Sequence, residues 1–179
     1  MCRDAAESGV DGFLAVGIGE GKQELDFNKH CHQYNLSNIQ LVMFSSSDKR
    51  ISDLANMAST FLYIVLVRGK TGVRDSLPEG LEERIARVRS KTDLPLVIGF
   101  GISSPSMVGG VGSLSDGAVV GSFLTDCLNK TDWEKTDEMY HQISRLKTGT
   151  AQKETAKYQA TRFSRVPVCL ENEERARKS

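Results

Sequence analysis

Three short stretches place glycine beside a hydroxyl or a cation at the point where an apolar run stops. VRGKTGVRDSLPEG (residues 67–80) carries Thr71, Gly72 and Arg74 in a glycine-flanked loop. GFGIS (99–103) sets Gly99 and Gly101 around Phe100, and VVGSF (119–123) puts Gly121 and Ser122 directly after two valines. Glycine lets a backbone come close to a ligand. The first turn of a helix offers unpaired N–H groups and the positive end of a dipole, which suits an anion. A loop with a hydroxyl and a mobile cation suits a lid over such a ligand. The chemistry indicated is the gripping of a phosphate or similar anion. Each stretch alone also fits an ordinary strand-to-helix turn; two glycine-bearing ends on consecutive strands, each leading into a helix, favour phosphate.

Other chemistries are poorly represented. His30-Cys31-His32 invites a metal reading, but on a helix residues i and i+2 diverge, so the two histidines do not share an ion. Cys31 falls on an apolar stripe and the histidines flank it. Cys2, Cys31, Cys127 and Cys169 show no paired spacing, so neither a zinc site nor a disulfide framework is expected, and a reducing, cytoplasmic setting is. No nucleotide-binding loop with a lysine and no nucleophile elbow is present. With 23 basic and 23 acidic side chains in 179 residues, no nucleic acid or membrane surface is held by bulk charge. No run reaches the roughly 18 apolar residues of a membrane span, and no signal peptide or transit sequence is expected from MCRDAAESGVDG.

The elements that must position these stretches follow from periodicity. Short apolar runs at 12–16, 39–43, 61–67, 94–99 and 117–120 alternate with helical patterns, which predicts parallel strands joined by helical crossovers. Phe27, Cys31 and Tyr34 form one helical stripe, Ile51, Leu54, Ala55 and Ala58 a second, and Leu81, Ile85 and Val88 a third. Ser46 or Ser47 is placed to cap the second of these, and Glu83 and Arg87 form an exposed i,i+4 pair on the third. Ser104-Pro105 starts a helix weakened by Gly109, Gly110 and Gly112. A last amphipathic helix takes in Trp133, Met139, Tyr140, Ile143 and Leu146. Residues 1–148 are read as one domain and 149–179 as a polar, disordered tail or linker. An eight-unit barrel takes about 250 residues, so five units need roughly 156, close to the length before the tail. The fold class is α/β: an incomplete (βα)8 TIM barrel with about five parallel strand–helix units.

YIVLVRGKTGVRDSLP, DLPLVIGFGISSP and SDGAVVGS, in that order and spacing, are similar to the alpha chain of tryptophan synthase. AAESGVDGFL and SSSDKRI agree less closely. The resemblance covers roughly residues 1–147 and the fourth to eighth strand–helix units of that family's barrel, which implies a fragment without the first three. It implies a lyase of tryptophan biosynthesis that cleaves indole-3-glycerol phosphate to indole and glyceraldehyde 3-phosphate by a retro-aldol step. The implied partner is a beta chain that carries pyridoxal phosphate; no cofactor is implied in this chain. On matching positions, Gly72, Gly101, Gly121 and Ser122 hold the substrate phosphate, Tyr63 and Phe100 line the indole pocket, and Thr71 lies in the closing loop.

The departures are equally specific. The family's catalytic acids are a glutamate on the second strand and an aspartate in the loop after it, and neither has a counterpart here. Gly17-Ile18-Gly19 stands where an Asp-Leu-Pro-like sequence is usual, and Met43-Phe44-Ser45-Ser46 where Ala-Pro-Thr-Thr is. Leu66 replaces a serine and Lys70 an apolar residue. The units expected to face the beta chain have drifted, while the phosphate-holding units have not. The expectation is therefore an isolated chain that releases no indole and is marginally stable, with two open sheet edges and an uncovered apolar face. The alternative is a non-catalytic remnant that binds a phosphorylated ligand or a partner. A different phosphate-binding barrel enzyme fits the motif order less well.

Overall fold

The computed structural model describes residues 1–65, 77–99, 101–130 and 136–149. They form α1 (Cys2–Glu7), β1 (Gly12–Leu14), α2 (Lys22–Gln33), β2 (Ser37–Met43), α3 (Asp48–Met57) and β3 (Leu62–Val65). These are followed by α4 (Leu81–Arg89), β4 (Leu96–Gly99), α5 (Pro105–Leu114), β5 (Gly117–Ala118), α6 (Ser122–Lys130) and α7 (Thr136–Lys147). The five strands make one parallel sheet in the order β1-β2-β3-β4-β5. Each strand lies beside its predecessor, so the sheet winds in one direction, as a barrel wall does. A doubly wound sheet reverses its order part-way. Right-handed crossovers in such a run put the helices on one face, and the architecture is five consecutive units of a (βα)8 barrel.

The strand cores match the expected apolar runs, but the ends differ. β1 stops at Leu14 rather than Val16, and β5 at Ala118 rather than Val120, because the next residues turn out of the ladder into loops. β2 starts two residues early, at Ser37, since Ser37 and Asn38 pair with Gly12 and Phe13. Leu66 and Val67 lie outside the described residues.

Alternation splits the sheet into two unlike faces. Val42, Leu62, Ile64, Leu96 and Ile98 point to the helices and are buried with Ile51, Leu54, Ile85, Val88 and Val111 in the main core. Phe13 packs with Phe27, Cys31 and Leu36 in a smaller cluster under α2. Paired positions in a parallel ladder share a face, so the opposite, inner face carries Leu14, Ile39, Leu41, Met43, Tyr63, Val65 and Val97. Most of these are only half buried, and Met43 is exposed. This is the uncovered apolar face expected of five units.

Four local expectations are sharpened or corrected. Ser47, not Ser46, caps α3, accepting the Arg50 N–H at 3.2 Å; Ser46 instead accepts the Met43 N–H at 3.1 Å. α5 is a full helix despite its glycines: Ser104 accepts the Met107 N–H, Pro105 opens the first turn, and Met107, Val108 and Val111 are buried. Burial of that face outweighs the roughly 1 kcal/mol lost per glycine. Arg87 does not pair with Glu83; its Nε donates to Asp48 of α3, so the cation binds two helices together instead of decorating one. On α7, Leu146 is buried but Tyr140 and Ile143 are exposed, so the expected stripe is only partly used. Trp133 and residues 150–179 lie outside the described residues.

Candidate functional site

The C-terminal ends of β3, β4 and β5 lie side by side, because Val65 pairs with Gly99 and Ile98 with Ala118. In barrels and open parallel sheets this end of the strands is where ligands bind. Four of the seven expected site residues fall within the described residues, all on these three neighbouring units: Tyr63, Gly101, Gly121 and Ser122. Thr71, Gly72 and Phe100 lie outside them.

Tyr63 projects from the inner face of β3 across to β4. A Cβ on Gly99 would stand 1.8 Å from its hydroxyl and 2.3 Å from Cζ. Gly99 is therefore glycine because the tyrosine ring occupies the space a side chain would need. That reason differs from a close approach to phosphate, and the sequence alone did not show it. Gly101 has φ +78°, a left-handed conformation that side chains rarely adopt. It is buried and turns the chain from β4 toward Ile102, itself 1 % exposed, and the Ser104 cap.

The two helix starts beyond these strands are not equivalent. At α5 the Ser104 side chain already takes a first-turn N–H. At α6 the Gly121 carbonyl accepts the Thr125 N–H at 3.1 Å, so Gly121 takes the N-cap position with Ser122 as the first helical residue. No acceptor among the described residues takes the N–H of Ser122, Phe123 or Leu124. Gly121 is exposed, and a Cβ there would meet nothing within 4 Å. The open helix start thus lies beside Gly101 on the adjacent strand end.

Among the described residues the inner face carries no carboxylate. Among the described residues its only side chain with a readily ionisable proton is the Tyr63 phenol; the others are aliphatic or thioether apart from the Ser37 hydroxyl at the opposite end of β2. Gly17, where the resemblance implies an acid, has φ +82° and open space around it. The nearest buried carboxylate is Glu24 of α2, on the helix side of the sheet. There it takes two hydrogen bonds from Arg50, each 2.7 Å. This bidentate pair was not foreseen: an acid in one helix and a base in the next reveal their meeting only in three dimensions. His30 and His32 are exposed on either side of the buried Cys31, as expected, with the His30 ring bonded to the Asp26 carbonyl. No group of three metal-ligating side chains occurs among the described residues, and no helix among them is long and apolar enough to cross a membrane.

Comparison with known proteins bears on this arrangement directly. The family model of the tryptophan synthase alpha chain matches residues 1–157. The tryptophan synthase alpha chain of Chloroflexus aggregans is 42 % identical over 130 residues, covering 72 % of this chain and 48 % of its own length. That of Geotalea daltonii is 35 % identical over 149 residues, covering 83 % of this chain and 56 % of its own. This chain thus spans about half the length of the curated relatives it matches. A solved tryptophan synthase alpha-subunit from Pyrococcus furiosus superposes with TM-score 0.72 over 81 % of this chain and 58 % of that one, at 23 % identity, a likeness of fold. From the strand order, the glycine-bearing strand ends and these matches, the chain belongs to the tryptophan synthase alpha chain family.

Proposed function

We propose that this chain holds the phosphate end of indole-3-glycerol phosphate at the C-terminal ends of β4 and β5. The backbone at Gly101 and the open start of α6 at Gly121 and Ser122 form the phosphate site, with Gly72 contributing from the β3–α4 loop. Tyr63 and Phe100 lie against the indole ring, and Thr71 belongs to the loop that closes over it. The observation that carries this reading is the juxtaposition of a left-handed glycine on one strand end with an unfilled helix N-terminus on the next. Family membership supplies the ligand.

Cleavage of the bond between indole C3 and the glycerol chain needs a proton delivered to C3 and a proton removed from the hydroxyl that becomes the aldehyde. Among the described residues the inner face offers one phenol and no carboxylate for these transfers, so in this reading the chain binds the substrate and does not turn it over. In the whole enzyme of this family, other residues supply the carboxyl groups. Association with a beta chain, a cytoplasmic setting for the free thiols and a separate role for residues 149–179 belong to the same proposal.

Titration with glycerol 3-phosphate tests the site, read by amide NMR shifts. Gly101, Gly121, Ser122 and Phe123 are expected to move together. Ser122→Pro removes one N–H at a position where proline suits the helix start. It is expected to weaken binding about 10-fold or more, the worth of one charge-assisted hydrogen bond. Shifts confined to other regions overturn the site, and indole release at rates usual for an enzyme overturns the non-catalytic reading.

A further inference from the structure

Arg84 of α4 is 5 % exposed, yet no carboxylate among the described residues pairs with it. Its Nη1 donates to the Ser46 carbonyl at 3.1 Å and its Nη2 to the Met43 carbonyl at 2.5 Å. The Phe44 ring lies below the guanidinium, 5.8 Å from centroid to Cζ, and Nε is buried without a partner. Burial holds its pKa below the usual arginine value, as does the neighbouring Arg87, while Asp48 acts in the opposite direction. A buried cation without an anion is costly, and a methionine or leucine would fill the same volume at less cost. What a hydrophobe could not do is aim two N–H groups at carbonyls three residues apart.

Those carbonyls belong to a turn already closed on itself. Ser46 N–H donates to the Met43 carbonyl at 2.9 Å, and the Ser46 hydroxyl accepts the Met43 N–H at 3.1 Å. The next residue, Ser47, caps α3. The turn is the β2–α3 loop, at the same end of the sheet as Gly101 and Gly121, and α4 is the helix that follows the β3–α4 loop.

We propose that Arg84 is a positioning residue for this face: it holds the β2–α3 loop, Met43 to Ser46, in one backbone conformation and ties it to α4. The β2–α3 loop and helix α4 thereby share one support. The functional importance of that support rests on the phosphate-face reading above; the positioning itself does not.

Hydrogen exchange of the full chain, read by mass spectrometry, tests it. In Arg84→Met, exchange of the segment 43–50 is expected to rise at least 10-fold while 62–65 and 96–99 stay within twofold. Arg84→Lys, with one compact cation, is expected to fall between. In Arg84→Ala, low-millimolar guanidinium chloride is expected to restore protection where sodium chloride of equal ionic strength does not. Unchanged loop exchange in Arg84→Met, a parallel rise in all segments, or equal rescue by sodium chloride overturns the proposal. If the methionine and alanine variants do not fold, Arg84→Lys decides: selective loosening of 43–50 supports positioning and uniform loosening overturns it. No phosphate ligand enters these measurements, so their failure is distinct from failure of the binding site.

Discussion

Gly99→Ala is the substitution for which the structure gives the clearest arithmetic. Glycine to alanine in a strand, where space allows, stabilises by about 0.4–1 kcal/mol through the unfolded chain. Here the new Cβ would sit 1.8 Å from the Tyr63 hydroxyl, and real Cβ atoms essentially never come within 3.0 Å of a neighbour. The ring must retreat by more than 1 Å. Leaving its rotamer costs about 0.5–1.5 kcal/mol, and overpacking of this kind typically costs about 1–3 kcal/mol in all. The net expectation is a loss of about 1–2 kcal/mol, read as a lower urea midpoint at unchanged slope. In a Tyr63→Val background the obstacle is gone, and the same Gly99→Ala change becomes neutral or stabilising. The cycle thus yields a coupling of about 1–3 kcal/mol, the overpacking cost itself. Equal effects of Gly99→Ala in both backgrounds would refute the assignment of Gly99 to Tyr63.

Three further outcomes are expected. Ser47→Ala removes the acceptor for the Arg50 N–H and should cost about 1 kcal/mol, measured by the urea midpoint. Burial, with the adjacent Cys2 thiol, pushes the Cys31 thiol up to about 11. It should therefore alkylate far more slowly than Cys127 at pH 8. The native state keeps a proton that the unfolded chain loses near 9, so this thiol makes stability fall as pH rises from about 9 to about 11, a slope absent in Cys31→Ala. The hydrogen bond from Arg87 holds the Asp48 carboxyl below its ordinary value of 3.8. Its contribution is present above that value and lost as pH falls through the lowered native one, so Asp48→Asn should flatten the acid limb of a stability–pH profile.

Much of the architecture was legible from the order of residues because local signals agreed with one another. The apolar runs at 61–67 and 94–99 contain β3 and β4, the run at 39–43 covers all but the first two residues of β2, and the stripes through Ile51–Leu54 and Ile85–Val88 face the core as expected. Strand ends were less legible, since a run such as Gly117–Val120 continues in sequence after its ladder has stopped. The glycine-bearing ends of β4 and β5 were also readable, and their closeness followed from the parallel order. Ser47 as cap, by contrast, was decided by which of two serines meets the Arg50 N–H.

Sequence alone determined the α/β alternation, the family motifs and the lack of an acid at Gly17, because strands, helices and turns each answer to residue types within a few positions. Only the tertiary structure decided what depends on partners far along the chain. Glu24 meets Arg50, Arg87 leaves Glu83 for Asp48, and Tyr63 claims the space that makes Gly99 a glycine. Arg84, ordinary in its helix, reaches back 38 residues to the carbonyl of Ser46 and 41 to that of Met43. Periodicity reports which face a side chain is on; which atom waits there is set by the register of neighbouring strands and the packing of the helices behind them.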